Sequence, residues 1–321
     1  MRLSFNDIKN ITVGAVRIDE QVDGIHFHKC TQKQVNAWLA LSETLGARAE
    51  ATTGIRLDFH TNSRTLAFRV SSGIKFELYI NDVFRVQYKM DEHPDGIVAE
   101  LNGPYGEELL EKRVTLYFPS HDDPGVLEYL ELDDGATVVP HKFDTKMLFI
   151  GDSITQGWNS GIDTFSYAYR VSRVFNAQSV INGIGGAYFH DTTFDSIDFA
   201  PDTVFVAFGT NDFGHFKTID EFKHHCRAFL ESVKSEYATT AKNIYVISPI
   251  WRADAYTRER SMGTFDDCRR VVIDTAATLS LTHIDGLSLV PPIQEYFADQ
   301  YLHPNALGFS IYAESLIARI R

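Results

Sequence analysis

Short runs of alternating hydrophobic and polar residues fill most of the first 140 or so positions of the chain. β-branched and aromatic residues dominate these runs, and turn residues such as Asn62-Ser63 and Asn81-Asp82 separate several of them. Short strands at this spacing predict an antiparallel sandwich or jelly roll. The segment QKQVNAWLALSETLG is more helical in pattern, and the sandwich gives it no obvious place. The predicted strands are TGIRLDFH, RTLAFRVSS, IKFELYINDVFRVQYKM, KRVTLYFPS and LEYLELDDG.

A different pattern begins near residue 145, where nearly continuous hydrophobic strands alternate with longer amphipathic stretches. This alternation predicts a parallel sheet with helices on both faces. The change near Pro140 divides the chain into a β-sandwich domain over residues 1–143 and an α/β domain over residues 144–321. The predicted strands are KMLFIG, SVIN, TVFVAFG and NIYVISPI, and the predicted helices are YAYRVSRVF, IDEFKHHCRAFLESVKSEYA, FDDCRRVVIDTAATL and ALGFSIYAESLIARI.

Composition and charge narrow the classes of function. The chain has 321 residues and a net charge of -13, which argues against nucleic-acid and anionic-membrane binding because both require a basic surface. No hydrophobic run approaches the roughly 20 residues of a membrane-spanning helix. The first 20 residues lack the hydrophobic core of a secretory signal. Three cysteines without motif spacing fit reduced thiols, so we expect a cytoplasmic protein.

Chemically suggestive residues follow the predicted parallel strands. In an open α/β sheet, ligands bind beyond the carboxyl ends of the strands. Ser153 follows the first strand, three glycines (183, 185 and 186) follow the second, and Asn211 follows the third. His303 precedes the final helix. A hydroxyl nucleophile, a base and fixed N–H donors are what acyl transfer requires.

Four segments, GDSIT, GIGGA, GTND and LHPN, resemble in order the four sequence blocks of the SGNH (GDSL-type) esterases and acylhydrolases. The resemblance covers roughly residues 145–321 and implies a flavodoxin-like three-layer fold without metal or organic cofactor. It implies that Ser153 is the nucleophile and His303 the base. It also implies an oxyanion hole made of the Ser153 N–H, the Gly186 N–H and the Asn211 side chain, with Gly185 as the neighbouring alternative to Gly186.

The acid of the resembled triad is out of place. The family has an acid three residues before the histidine, where this chain has Gln300, and the nearest acid is Asp299. Either a bulge lets Asp299 reach His303, or a serine–histidine dyad is supported by an amide or backbone carbonyl. We favour Asp299, because in a serine protease replacing the triad aspartate by its amide costs about 10⁴ in kcat.

The N-terminal half carries a fainter resemblance. The stretch SSGIKFELYIND is similar to a Gly-x-Asp-Leu-Tyr segment of the β domains that precede certain SGNH hydrolases, although Lys75 and Glu77 replace its glycine and aspartate. The resembled layout is that of two-domain carbohydrate esterases with a jelly roll. It implies a serine esterase acting on short acyl esters, most simply O-acetyl groups, of sugars or oligosaccharides. A β domain that mediates homo-oligomerisation is compatible with this interpretation.

Residues beyond the blocks suggest a substrate pocket. Trp251 and Arg252 follow the fourth strand and Tyr188 follows the second, so we expect them to bind substrate at the sheet edge. A loop tryptophan that closes the rim of the core is the alternative for Trp251.

Several alternatives remain open from the residues themselves. Ser153 can be a helix N-cap, and His303 can be a helix-start residue packed on Pro304. Another enzyme class on the same core is a lysophospholipase or thioesterase, and a non-enzymatic alternative is a catalytically decayed carbohydrate-binding protein. Adjacent His224 and His225 point about 100° apart on a helix, which favours a solvated face over a metal site. An alternating set that can approach a metal is His26, His28 and Cys30.

Overall fold

A computed structural model describes residues 1–103, 105–121 and 123–321. By their contacts these residues form two compact units. The first unit comprises residues 1–30 and 50–143, and the second comprises residues 31–49 and 144–321. The helical stretch that the sequence pattern left unplaced thus belongs to the second unit. A boundary between independently folding domains at 143/144 stays a prediction.

The first unit contains two antiparallel sheets. One has the strand order β1-β4-β9-β6-β7, with β11 added on β4, and the other has the order β2-β3-β10-β5-β8. The elements are α1 (Phe5–Ile11), β1 (Thr12–Val13), β2 (Arg17–Gln21), β3 (Gly24–His28), β4 (Arg56–Thr61), β5 (Thr65–Ser72), β6 (Lys75–Ile80), β7 (Val83–Lys89), β8 (Ile97–Glu100), β9 (Lys112–Tyr117), β10 (Val126–Leu132) and β11 (Val139–Pro140).

The two sheets pack face to face, which confirms the predicted sandwich. The rings of Phe68 on β5 and Phe76 on β6 have centroids 5.8 Å apart across the two sheets. Both rings are fully buried, as is Phe59 on β4. The predicted turn Asn81-Asp82 joins β6 to β7 with φ values of 51° and 62°. Two successive residues with positive φ match the right-handed twist of a two-residue hairpin, and asparagine and aspartate tolerate that region.

The sandwich also buries a charged cluster. Asp58 on β4 is 1% exposed. Arg113 donates two hydrogen bonds of 2.8 Å to its carboxylate, and Arg56 donates one of 3.0 Å. Burial raises the pKa of Asp58, but the two guanidinium groups outweigh this effect and hold the pKa below its ordinary value. Asp58 is therefore a fully paired carboxylate.

The second unit contains a parallel sheet with the order β13-β12-β14-β15-β16. Numbered within the unit, this order is 2-1-3-4-5, that of flavodoxin-like folds, as predicted. The short strand β16 was not among the predicted strands. The elements are α2 (Gln32–Leu41), α3 (Glu43–Glu50), β12 (Thr145–Gly151), α4 (Ser153–Gln156), α5 (Tyr167–Val174), β13 (Ala177–Gly183), β14 (Thr203–Ala207), α6 (Asp212–His215), α7 (Ile219–Tyr237), β15 (Asn243–Ile247), α8 (Phe265–Thr278), β16 (Thr282–Ile284) and α9 (Ala306–Ile320).

Helices cover both faces of this sheet. Helix α5 packs against α9, and α7 packs against α8. Because β12 leads outward to β13 in one direction and β14 leads to β15 in the other, right-handed crossovers place α5 on one face and α7 and α8 on the opposite face. Among the described helices, none has both the length and the hydrophobicity needed to cross a bilayer.

β12 and β14 run parallel and pair at Gly151 and Ala207, and the direction in which successive strands are added to the sheet reverses between them. In this topology the reversal opens a crevice beyond the carboxyl ends of those two strands. Ser153 follows β12 and Asn211 follows β14.

Candidate active site

Ser153 lies at the sharp turn between β12 and α4. A Cβ atom at Gly151 would lie 2.1 Å from Thr155 Oγ1 and 2.8 Å from the Ala207 carbonyl oxygen, so this close approach requires glycine. Asp152 is the N-cap of α4 and accepts the Ile154 N–H at 2.9 Å. Ser153 is therefore the first helical residue and not the cap.

A serine, a histidine and an aspartate form a continuous hydrogen-bonded chain. Ser153 Oγ lies 2.8 Å from His303 Nε2, although 150 positions separate the two residues. His303 Nδ1 lies 2.7 Å from Asp299 Oδ2. The other oxygen of Asp299 accepts the backbone N–H groups of Tyr301, Leu302 and His303 at 2.9, 2.8 and 3.1 Å. The loop that carries His303 thus also holds the Asp299 carboxylate in place.

The extra residue between acid and base is absorbed by one unusual backbone conformation. Gln300 has φ of 55°, in the left-handed region that non-glycine residues seldom adopt. The loop closes on itself because Ala298 N–H donates to the His303 carbonyl at 2.8 Å. Of the two arrangements that the sequence left open, the structure has the one in which Asp299 reaches the imidazole. The N-cap of the following helix is Asn305, so His303 does not serve as a cap.

The electrostatics of the Asp299 carboxyl suit this arrangement. Burial raises its pKa, but the hydrogen bonds from Leu302, His303 and Tyr301 together lower it below its ordinary value. An ionised Asp299 accepts the Nδ1–H of His303 and leaves the Nε2 lone pair facing the serine hydroxyl.

The second and third strand ends are joined by hydrogen bonds. Asn211 Nδ2 donates to the Ala187 carbonyl at 2.8 Å, which uses one of the two hydrogens on that nitrogen. Asp212 accepts the N–H groups of Phe189 and Gly209, both at 2.9 Å. Gly186 has φ of 85°, a conformation that favours glycine at this position. The predicted oxyanion-hole segments are thereby held as one unit.

Helix α3 contributes a residue to this region that the sequence did not predict. Arg48 Nη1 donates to the Gly185 carbonyl at 3.0 Å. Its guanidinium carbon lies 4.9 Å from the centroid of the Trp158 ring, and Trp158 N–H donates to the Ser153 carbonyl at 2.9 Å. Arg48 thus connects the glycine loop to the segment that carries the serine. No motif marked it, and the only signal was a helical pattern among strands.

Two further acids, Asp152 and Asp212, are buried next to Ser153 and Asn211 in the sequence. Burial raises the pKa of Asp152 to about 7 and that of Asp212 to about 8. Within the described part of the chain, the ion pairs include neither residue. Backbone N–H groups alone stabilise their charged forms.

The residues predicted to bind substrate lie in different environments. Trp251 is half-buried and packs on Phe297, with ring centroids 4.9 Å apart. Arg252 is 6% exposed, and its guanidinium donates to Asp254, to Tyr301 and, at 2.8 Å, to the Thr210 carbonyl. Arg252 thus connects the Asn211 turn to the His303 loop, and its contact with substrate stays a prediction.

Tyr188 is also enclosed by protein. It is 6% exposed, and its ring stacks on His215 with centroids 3.7 Å apart and lies edge-on to Trp38. Its ring supports packing of the loop after β13, and its contact with substrate stays a prediction.

The alternating set near the N-terminus is engaged by carboxylates. His26 Nε2 lies 2.8 Å from Asp23, and His28 Nδ1 lies 2.9 Å from Glu50. Cys30 is buried.

The fold and this hydrogen-bonded chain define an acyl hydrolase of the α/β class, and comparison with known proteins gives its family. A family model described as the GDSL-like Lipase/Acylhydrolase family matches residues 149–311, just over half of the chain. The chain belongs to that family. No curated protein matches the sequence.

Solved structures resemble the chain over nearly its whole length. The salicylyl-acyltransferase SsfX3 from a tetracycline biosynthetic pathway has a TM-score of 0.79 at 18% identity, over 95% of this chain and 92% of that chain. A putative GDSL-like lipase from Bacteroides ovatus has a TM-score of 0.72 at 17% identity, over 100% and 96%. A family two carbohydrate esterase from Cellvibrio japonicus has a TM-score of 0.65 at 16% identity, over 98% and 96%. At these identities the likeness establishes the fold.

Proposed function

We propose that this protein is a serine esterase that hydrolyses short acyl esters, principally O-acetyl groups of sugars or oligosaccharides, through an acyl-enzyme. The single observation that carries the proposal is the chain of two hydrogen bonds, 2.8 and 2.7 Å long, from Ser153 through His303 to Asp299. These residues take the roles of nucleophile, base and orienting acid.

The proposed reaction has two halves. In the first, Ser153 Oγ bonds to the ester carbonyl carbon while its proton passes to His303 Nε2. The tetrahedral intermediate then expels the alcohol, which leaves with that proton. In the second half, His303 takes a proton from water, the hydroxide attacks the acyl-enzyme, and the proton returns to Ser153 as the acid departs. Asp299 stays ionised and stabilises the imidazolium in both halves.

We assign the oxyanion hole to the Ser153 N–H, the Gly186 N–H and the second Nδ2 hydrogen of Asn211. Support comes from the bond between Asn211 and Ala187, which fixes the amide next to the glycine loop. A pre-oriented donor of this kind contributes about 2.7–4 kcal/mol to transition-state stabilisation. Arg48 acts through Gly185 and is a positioning residue in this scheme.

The sugar assignment is supported by the carbohydrate esterases among the structural neighbours. One of these, from Clostridium thermocellum, was solved with cellohexaose. Trp251, half-buried beside the loop of Asp299, supplies an aromatic surface of the kind that sugar rings stack on.

The test begins with a fluorophosphonate probe. We expect it to label the protein once, at Ser153, and expect Ser153→Ala to abolish both labelling and ester hydrolysis. The matched control Ser235→Ala, on the exposed face of α7, keeps both. Labelling that persists in Ser153→Ala contradicts the proposal.

Substrate class is tested separately. We expect acetate release from an O-acetylated oligosaccharide, and faster hydrolysis of p-nitrophenyl acetate than of the octanoate or palmitate. A preference for the long chains supports the lipase or thioesterase alternative and contradicts the sugar-ester proposal. Absence of labelling together with saccharide binding supports the decayed binding protein.

A second candidate is acyl transfer to an alcohol, because the salicylyl-acyltransferase has the TM-score of 0.79 given above. Both activities share the acyl-enzyme and differ in what resolves it. Partition of the acyl group between water and an added acceptor alcohol, measured as free acid against new ester, distinguishes them.

A further inference from the structure

Three side chains of metal-binding type meet where the loop after β13 packs on α7. His190 and Asp191 follow β13 on its exit loop, and His225 lies on α7. One potential ligand atom from each lies within 4.8 Å of the others. Asp191 Oδ1 is 3.3 Å from His190 Nδ1 and 3.3 Å from His225 Nδ1. Bonds of about 2.0–2.1 Å to a tetrahedral ion place two ligands about 3.3–3.4 Å apart, so both separations fit a shared ion.

The hydrogen bonding leaves coordination capacity in this cluster. His225 Nδ1 is buried and has no hydrogen-bond partner among the described residues, although it lies near a carboxylate. The 3.3 Å contact of His225 Nδ1 with Asp191 therefore lacks the geometry of a hydrogen bond. His190 Nδ1 lies 2.9 Å from the Thr192 hydroxyl, a contact that an ion would displace. Coordination thus gives the unpartnered nitrogen a role that the protein alone does not supply.

Aromatic rings enclose the two imidazoles. The rings of His190 and His225 stack at 4.5 Å with 20° between their planes, so one ring turns about its Cβ–Cγ bond when both bind a single ion. The ring of Phe216 covers His225 at 5.4 Å. The two histidine side chains are 18% and 17% exposed. The sequence predicted that His224 and His225 lie on a solvated face. This is confirmed for His224 and is wrong for His225.

We propose that His190, Asp191 and His225 bind one divalent transition-metal ion, with Zn²⁺ the best match to two imidazoles and one carboxylate. Imidazole ligands favour zinc, cobalt and nickel over calcium and magnesium. The ion would connect the loop after β13 to α7. On that loop, His190 lies four residues beyond Gly186. Its role is structural, and the proposed esterase chemistry proceeds without it.

The experiment uses the full chain after chelator treatment and dialysis. Isothermal titration with ZnCl₂ is expected to show one site, and Co²⁺ is expected to give the visible absorption of a nitrogen- and oxygen-ligated ion. Saturating Zn²⁺ raises Tm, whereas Mg²⁺ at the same concentration leaves it unchanged. A titration without a stoichiometric site, or equal responses to Zn²⁺ and Mg²⁺, overturns the proposal.

Variants locate the site. His225→Ala and Asp191→Asn are each expected to weaken Zn²⁺ binding at least tenfold while their metal-free circular dichroism stays that of the wild type. The matched control is His224→Ala, because His224 is the adjacent exposed histidine, 3.8 Å from the other oxygen of Asp191. It should bind as the wild type does. Unchanged affinity in His225→Ala, or a loss in His224→Ala alone, overturns the assignment. Should His225→Ala fail to fold, His190→Ala provides the same comparison.

Discussion

The sandwich unit and the parallel-sheet unit both bury aspartates, but they surround them with different groups. Asp58 in the sandwich is 1% exposed, and Asp152 and Asp212 below the serine are 2% and 0% exposed. Two arginines hold the pKa of Asp58 below its ordinary value, whereas burial raises the pKa of Asp152 to about 7 and that of Asp212 to about 8. Similar burial thus accompanies opposite pKa shifts, and the sign depends on whether arginine side chains pair with the carboxylate.

This difference shows what each unit requires of its acids. The sandwich uses Asp58 as a neutralised cross-strand pair between β4 and β9. In the parallel-sheet unit, Asp152 and Asp212 accept hydrogen bonds from backbone N–H groups in the turns after the strands. The ionised carboxylate of this unit is Asp299, whose pKa is lowered by hydrogen bonds of its loop and not by a cation of the core. Charge pairing thus stabilises one unit, and backbone hydrogen bonding shapes the site of the other.

Asp299→Asn gives the largest expected effect. The backbone N–H groups hold the amide oxygen, which turns the amide nitrogen toward His303 and fixes the wrong imidazole tautomer. We expect kcat for ester hydrolysis to fall about 10⁴-fold, with Tm nearly unchanged. The control Gln300→Gly removes the neighbouring amide and suits the positive φ, so its activity stays close to the wild-type value. A Gln300→Gly enzyme as inactive as Asp299→Asn would show that Gln300 supports the histidine.

Asp58→Asn tests the sandwich side of the comparison. It leaves the buried Arg56 without its carboxylate and leaves Arg113 with Asp82 as its remaining one, so we expect the free energy of unfolding, from urea titration, to fall by about 3–5 kcal/mol. Activity per folded molecule stays constant. Asp82→Asn, which removes the exposed partner of Arg113, should cost less than about 1 kcal/mol. An equal loss of unfolding free energy in the two variants would contradict the distinction between the buried, paired Asp58 and the exposed Asp82.

Arg48→Ala is expected to have a moderate effect. Loss of a charge-assisted hydrogen bond, worth about 1.5–3 kcal/mol, frees the Gly185 carbonyl and loosens the glycine loop. We therefore expect kcat to fall about tenfold to a hundredfold and KM to change less. Arg48→Lys restores part of kcat, and Glu43→Ala on the same helix changes neither constant. A rise in KM at constant kcat would instead indicate that Arg48 binds substrate.

The most gradual expected effect is on the pH dependence of stability. Asp152 and Asp212 hold their protons more tightly in the folded chain than in the unfolded one, where carboxyl groups titrate near 4. Their contribution is complete below about pH 4 and is lost between there and their folded pKa values of about 7 and about 8. Urea unfolding is therefore expected to show stability that falls between about pH 4 and pH 8 and levels off above, with a slope of at most about 1.4 kcal/mol per pH unit for each proton. Asp212→Asn should flatten the curve, and an unchanged slope would contradict the assignment.

Much of the fold could be predicted from the sequence, because the hydrophobic positions of a long periodic segment mark its buried face. The helices over Ile219–Tyr237 and Ala306–Ile320 and the strand Thr145–Gly151 follow their hydrophobic patterns closely. The strand Thr282–Ile284 escaped prediction because three residues carry too little periodicity. The short strands Thr12–Val13 and Val139–Pro140 escaped for the same reason.

The site was partly predictable for a related reason. Ser153 and Asn211 lie in motifs at strand ends and His303 lies in a motif before the final helix, so topology brings them to one sheet edge. The contact of Asp299 with His303 depends on the positive φ of Gln300, a conformation that no periodicity encodes. The buried pairing of Arg252 and the contact of Arg48 with Gly185 depend on tertiary packing, and the sequence held no local signal for either.

The assignment of residues 31–49 to the second unit has a practical consequence for engineering. Those residues lie in the sequence between β3 and β4 of the sandwich unit, so the parallel-sheet unit is not one contiguous stretch of the chain. A truncated protein starting at residue 144 would be missing α2, α3 and Arg48, and its inactivity would say nothing about the sandwich itself. A transplant of the parallel-sheet unit must therefore include residues 31–49.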